Sequence, residues 1–195
     1  MKYIAISGTV GAGKTTLLKK LIEKLGDRAS FHEERPDENP YISDYYADSK
    51  RWSFHSQVTF LSQYFDDFLA KQSDKDFYIF DRSVEENLII AKYRLDQGDL
   101  TEEEFAILCK LGYGISSLMP PIDKYIYLDC SPYTIEDHML TRGREYEEDL
   151  DLFYVFEVKR LYDAWQSKLP KEKTMVVDMD KGYDLEDILR YIEAD

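Results

Sequence analysis

Continuous apolar, β-branched or aromatic runs occupy residues 3–7, 77–80, 125–128 and 174–177, and a weaker one occupies residues 29–32. Runs this short and this uniformly apolar predict strands buried on both faces, as in a parallel sheet. Between them the apolar positions recur at helical spacing. Leu17, Leu18, Leu21, Ile22 and Leu25 form one face, stopped by Gly26. Phe54, Val58, Leu61, Phe65, Phe68 and Leu69 form a longer one. Further helices fit residues 84–95, 102–111, 134–140, 150–165 and 185–192. Strands alternating with helices predict an α/β three-layer sandwich, with helices on both faces of a five-stranded parallel sheet. Ligands in such sheets bind beyond the carboxyl ends of the strands.

Composition narrows the class. At 195 residues the chain reads as a single domain, 1–195, with one core. Hydrophobic residues at 44% and charged residues at 33% argue against disorder. No apolar stretch is long enough to span a bilayer, and Gly8 interrupts the apolar start before a signal-peptide core could form. A net charge of −14 opposes binding to a nucleic-acid polymer or an anionic membrane, although a few placed cations suffice for one nucleotide. Cys109 and Cys130 lie in apolar surroundings without metal-ligand spacing, which predicts buried free thiols. The protein is expected to be cytoplasmic.

Candidate chemistry begins at the end of the first strand. Gly8-Thr9-Val10-Gly11-Ala12-Gly13-Lys14-Thr15 satisfies GxxxxGK[ST] between a strand and a helix, and Thr16 follows it. The glycines let backbone N–H groups turn inward around a phosphate at a helix N-terminus. Lys14 is placed to bridge the β- and γ-phosphates of ATP, and the Thr15 hydroxyl to help hold Mg²⁺. A carboxylate from a neighbouring strand end completes a metal site, and both Asp81 and Asp129 end apolar runs. Asp81 is the better candidate. It is followed by Arg82, a fixed cation able to face a transferring phosphoryl group, whereas Asp129 precedes Cys-Ser-Pro, a helix start. A guanine-nucleotide switch is disfavoured, because no DxxG or NKxD is present, which leaves a regulatory nucleotide-binding module as the non-enzymatic alternative.

The acceptor side is acidic. The second strand runs into Glu33, Glu34, Arg35, Asp37 and Glu38. A carboxylate about 4 Å from an acceptor phosphate would cost on the order of 4 kcal/mol at an effective dielectric near 20. A neutral hydroxyl is the better guest, and a carboxylate can accept its proton as a general base. This argues against a nucleoside monophosphate kinase resembling thymidylate kinase.

Five segments in order resemble the deoxynucleoside kinase family, and the bacterial deoxyadenosine and deoxyguanosine kinases in particular. They are the phosphate loop, Glu34-Arg35-Pro36-Asp37-Glu38-Asn39-Pro40-Tyr41, Arg51-Trp52-Ser53-Phe54-His55-Ser56-Gln57, Asp81-Arg82-Ser83, and Arg142-Gly143-Arg144-Glu145-Tyr146-Glu147. The resemblance implies ATP- and Mg²⁺-dependent phosphorylation of the 5′-hydroxyl of a deoxynucleoside, with purines favoured. Glu34 then matches the base for the 5′-hydroxyl, with Glu33 its neighbouring alternative, and Arg82 the residue that orients the hydroxyl. Tyr46 and Glu147 match the groups that hold the 3′-hydroxyl. Gln57 matches the amide that reads the base edge, and Arg142 and Arg144 match arginines of a short lid spanning roughly residues 142–149. A homodimer through helices after Arg82 and over residues 102–111 is implied by the same likeness. Three positions depart from the family pattern: Asn87 stands where many members carry an aspartate against the base, Tyr64 where some place an arginine, and His138 at a position often occupied by a lid arginine.

Overall fold

The computed structural model describes residues 1–70, 74–144 and 152–194. Five strands form one wholly parallel sheet: β1 (Lys2–Ser7), β2 (Ala29–His32), β3 (Phe77–Asp81), β4 (Lys124–Asp129) and β5 (Thr174–Asp178), in the order β2-β3-β1-β4-β5. Register pairs Ile6 with Asp81 on one side and with Ile126 on the other. The carboxyl ends of β1 and β3 therefore finish side by side, which brings the phosphate loop next to Asp81 and Arg82.

Alternation along the strands divides the core. Ile4, Ile6, Phe77, Ile79, Ile126 and Leu128 belong to a cluster with Leu17, Leu18 and Leu21 of α1 (Lys14–Leu25) and with Ile188 and Ile192 of α8 (Leu185–Glu193). Tyr78 and Phe80 instead pack with Leu61 and Tyr64 of α3 (Ser49–Ala70), Leu88 of α4 (Val84–Asp96) and Leu108 of α5 (Glu102–Leu118). Helices α6 (Pro132–Arg142) and α7 (Leu152–Gln166) complete the first cluster through Ile135, Val155 and Val158. This is the expected α/β sandwich.

A short helix, α2 (Ile42–Ala47), was not predicted. Six residues carry too little periodicity to register as a helical face, and tertiary packing of Ile42 and Tyr45 against Phe60 stabilises it. The other helices follow the apolar spacing, with α5 running seven residues past its expected end at 111. Its start is fixed by Thr101, whose hydroxyl accepts from the Glu104 amide while the Glu104 carboxylate accepts from the Thr101 amide.

Candidate active site

The phosphate loop takes its shape from close packing on both sides. A Cβ at Gly8 (φ +142°) would come within 2.8 Å of the Leu128 carbonyl oxygen, and one at Gly11 (φ +77°) within 3.0 Å of Ile135 of α6. Only glycine satisfies both the backbone and the space. Gly13 enters α1 in the left-handed conformation, no side chain caps that helix end, and its first turn carries no acidic residue. The amides that begin α1 thus present partial positive charge to an anion.

Behind this loop lies a dense group of charges. Lys14 is 6% exposed, and its ammonium donates to the Thr9 carbonyl at 2.7 Å. Burial lowers its pKa to about 8, with Arg82 adding to the effect and Asp81, Glu34 and Glu86 opposing it. Thr15 Oγ1 donates to Asp81 Oδ2 at 2.6 Å. Asp81 is 1% exposed, its Oδ1 is buried without a partner, and burial with the nearby Glu34 charge raises its pKa. An orphaned carboxylate oxygen beside a threonine hydroxyl is a pair of hard donors, which fits Mg²⁺. The rival carboxylate, Asp129, is engaged by Lys159 at 2.9 Å.

Glu34 and Arg82 meet at the end of this group, Oε1 to Nη1 at 3.2 Å. Burial works against the charge of Arg82, but Glu34, Tyr162, Glu86 and Tyr64 together outweigh it and hold the guanidinium well above its ordinary range. Arg82 is the only non-glycine residue with positive φ among those described, at 76°. Glu33, by contrast, faces Lys19 at 3.6 Å. A cleft of about 560 Å³ joins these parts, and Lys14, Thr15, Asp81, Glu34, Arg82, Met179 and Tyr183 are among the residues that line it.

Val10, Thr16, Arg142 and Arg144 also line the cleft, whereas Thr9 and Ala12 are buried beneath it. His138 donates from Nδ1 to the Gly11 carbonyl at 2.8 Å, so the residue that replaces a lid arginine binds the phosphate loop directly. Tyr46, Gln57 and Asn87 do not line this cleft. Tyr46, on α2, makes an edge contact with Tyr45 at 5.0 Å between ring centroids. Gln57, on α3, is 3% exposed with its Oε1 unpartnered, and Asn87, on α4, is buried beside the Tyr64 phenol. Glu147 and the rest of the lid expected over residues 142–149 lie outside the described residues.

Sequence reasoning passed over Glu86. This fully buried carboxylate accepts from Ser7 Oγ at 2.7 Å, from the Gly8 amide at 3.2 Å and from the Ser83 amide at 2.8 Å. It ties the phosphate loop to the Asp81-Arg82-Ser83 turn. The signal was present as Ser83-x-x-Glu86, a helix-start pattern whose carboxylate here also serves a second strand end.

Comparison with known proteins follows from this geometry. The family model described as "Deoxynucleoside kinase" matches residues 4–193. The chain belongs to the deoxynucleoside kinase family. Among its relatives, the deoxyadenosine/deoxycytidine kinase of Bacillus subtilis is 34% identical over 84% of this chain and 76% of its own length. The deoxyguanosine kinase of Lactobacillus acidophilus is 30% identical, covering 93% of this chain and 82% of the relative. The structure of deoxyadenosine kinase from M. mycoides with bound dATP superposes with a TM-score of 0.82 at 27% identity, over 98% of this deoxynucleoside kinase and 100% of that chain. This member of the family is accordingly a phosphotransferase enzyme.

Proposed function

We propose that this enzyme transfers the γ-phosphoryl group of ATP to the 5′-hydroxyl of a deoxynucleoside, purines favoured, giving the 5′-monophosphate in cytoplasmic nucleotide salvage. The observation that carries this reading is the Glu34–Arg82 pair at 3.2 Å, in the cleft that Lys14 also lines. A carboxylate there accepts a hydroxyl proton and repels an acceptor that is already phosphorylated. The purine preference draws support from relatives named for deoxyadenosine and for deoxyguanosine.

In this reading the amides at the start of α1 and the Lys14 ammonium hold the β- and γ-phosphates. Thr15 and Asp81 would hold Mg²⁺, which neutralises phosphate charge when bound. Glu34 takes the 5′-proton as the bond from the nucleoside oxygen to phosphorus forms and the bond from phosphorus to the ADP oxygen breaks. Arg82 orients the hydroxyl, and with Lys14, Arg142 and Arg144 it balances the charge on the transferring group. Gln57 and Asn87 read the base, while Tyr46 and Glu147 hold the 3′-hydroxyl. The exposed apolar residues Ile107, Leu111 and Leu118 on α5 support a homodimer through that helix.

The test is an assay that offers the four deoxynucleosides and their monophosphates in parallel, with ATP and Mg²⁺. Phosphorylation of deoxynucleosides alone, with purines ahead, is the expected result. Turnover confined to the monophosphates would overturn it.

A further inference from the structure

The two halves of the Glu34–Arg82 pair sit on different strand ends, β2 and β3, and neither is held in place by the other alone. Adjacent residues of one turn of α3 grip both. The Gln63 side chain makes two bonds to the Arg35 backbone, next to Glu34: its Oε1 accepts from the Arg35 amide at 3.1 Å, and its Nε2 donates to the Arg35 carbonyl at 3.0 Å. The Tyr64 hydroxyl donates to the Arg82 carbonyl at 3.0 Å, on the peptide that carries the left-handed φ.

Further contacts stiffen this turn. Asp67, one turn on from Gln63, accepts from Arg35 Nη1 at 2.7 Å and Nη2 at 3.1 Å, and pairs with His32 Nδ1 at 2.7 Å. The His32 ring stacks on Tyr64 with centroids 3.8 Å apart. Burial raises the Tyr64 pKa well above its ordinary value, so the hydroxyl stays a donor. A helix turn is a rigid spacer, and here its bonds end on the backbone flanking each reactive side chain.

We propose that Gln63 and Tyr64 are positioning residues that fix the separation of Glu34 and Arg82 for phosphoryl transfer, a role that rests on the reading of that pair given above. They touch neither phosphate nor nucleoside in this role. Their effect passes through the distance between two other groups, and misplacement of reacting groups by about 1 Å can cost on the order of a hundredfold in rate.

Tyr64→Phe keeps the ring stack and removes only the hydroxyl. Its kcat is expected to fall about tenfold or more while KM for ATP stays within about twofold. A general loss of folding would not give that split. Combined with Glu34→Gln, the same substitution is expected to cost less than about twofold further, because the separation of Arg82 from the base counts only while the base is present. Unchanged kcat in Tyr64→Phe, or losses that multiply in the double variant, would overturn the assignment. Should Tyr64→Phe fail to melt cooperatively, Gln63→Leu enters the same cycle with the same expectations. A near-normal rate in Glu34→Gln alone would remove Glu34 from the mechanism, and this inference with it.

Discussion

Glu34 Oε1 and Arg82 Nη1 stand 3.2 Å apart, both largely shielded from solvent, in the lining of the phosphate-loop cleft. The pair places a proton acceptor and a fixed cation side by side where an alcohol and a phosphoryl group must meet. Glu34→Gln preserves shape and loses basicity. Its kcat is expected to fall about a hundredfold or more with thermal stability near wild type, as steady-state assays and a melting curve will show.

Lys14 couples donor binding to protons. Its pKa of about 8 in the free enzyme lies below the ordinary 10.5, so the side chain is largely neutral above that value. A bound triphosphate favours the charged form. Calorimetry in buffers of different ionisation enthalpy, at a pH of roughly 9, is expected to report uptake of nearly one proton on ATP binding, and none in Lys14→Met.

The same depressed pKa sets a stability expectation. The contribution of Lys14 to folding is intact above the ordinary 10.5 and is lost as pH falls through about 8, where the buried ammonium becomes charged. Lys14→Met is therefore expected to stabilise the ligand-free protein by about 3 kcal/mol at neutral pH while abolishing transfer. Urea denaturation and a kinase assay check the two halves.

In the proposed reading, base recognition rests on neutral groups. Gln57 Oε1 is buried and unpartnered, ready for a donor on a base edge. Gln57→Leu is expected to raise KM for the deoxynucleoside about tenfold, leaving KM for ATP unchanged.

Removing the Glu86 carboxylate strands three donors, from Ser7, Gly8 and Ser83. Glu86→Ala is expected to cost about 3 kcal/mol in urea denaturation. KM for ATP should rise with it, because the phosphate loop loses its tie to the Asp81 turn.

The sheet and the phosphate cradle were legible in the sequence for a common reason: both depend on local pattern. Buried strands need uninterrupted apolar runs, and a loop that wraps phosphate needs glycine at fixed spacing before a helix. Asp81 could be preferred to Asp129 because Arg82 followed it. The interactions that could not be read are those made across the chain. Nothing local marks Gln63 as the partner of Arg35, His138 as a donor to Gly11, or Glu86 as the acceptor shared by the ends of β1 and β3. Their side chains have ordinary helical surroundings in sequence, and their roles appear only once parallel strand ends bring distant residues together.

The left-handed backbone at Arg82 sets robustness and turnover against each other at a single peptide. A non-glycine residue in that region stores about 1–3 kcal/mol. Glycine would release it, yet it would also remove the guanidinium that meets Glu34. Selection for heat resistance alone would be drawn to this position and would yield a sturdier protein that no longer makes its product, whereas selection for activity must keep the tension and find its stability elsewhere in the fold.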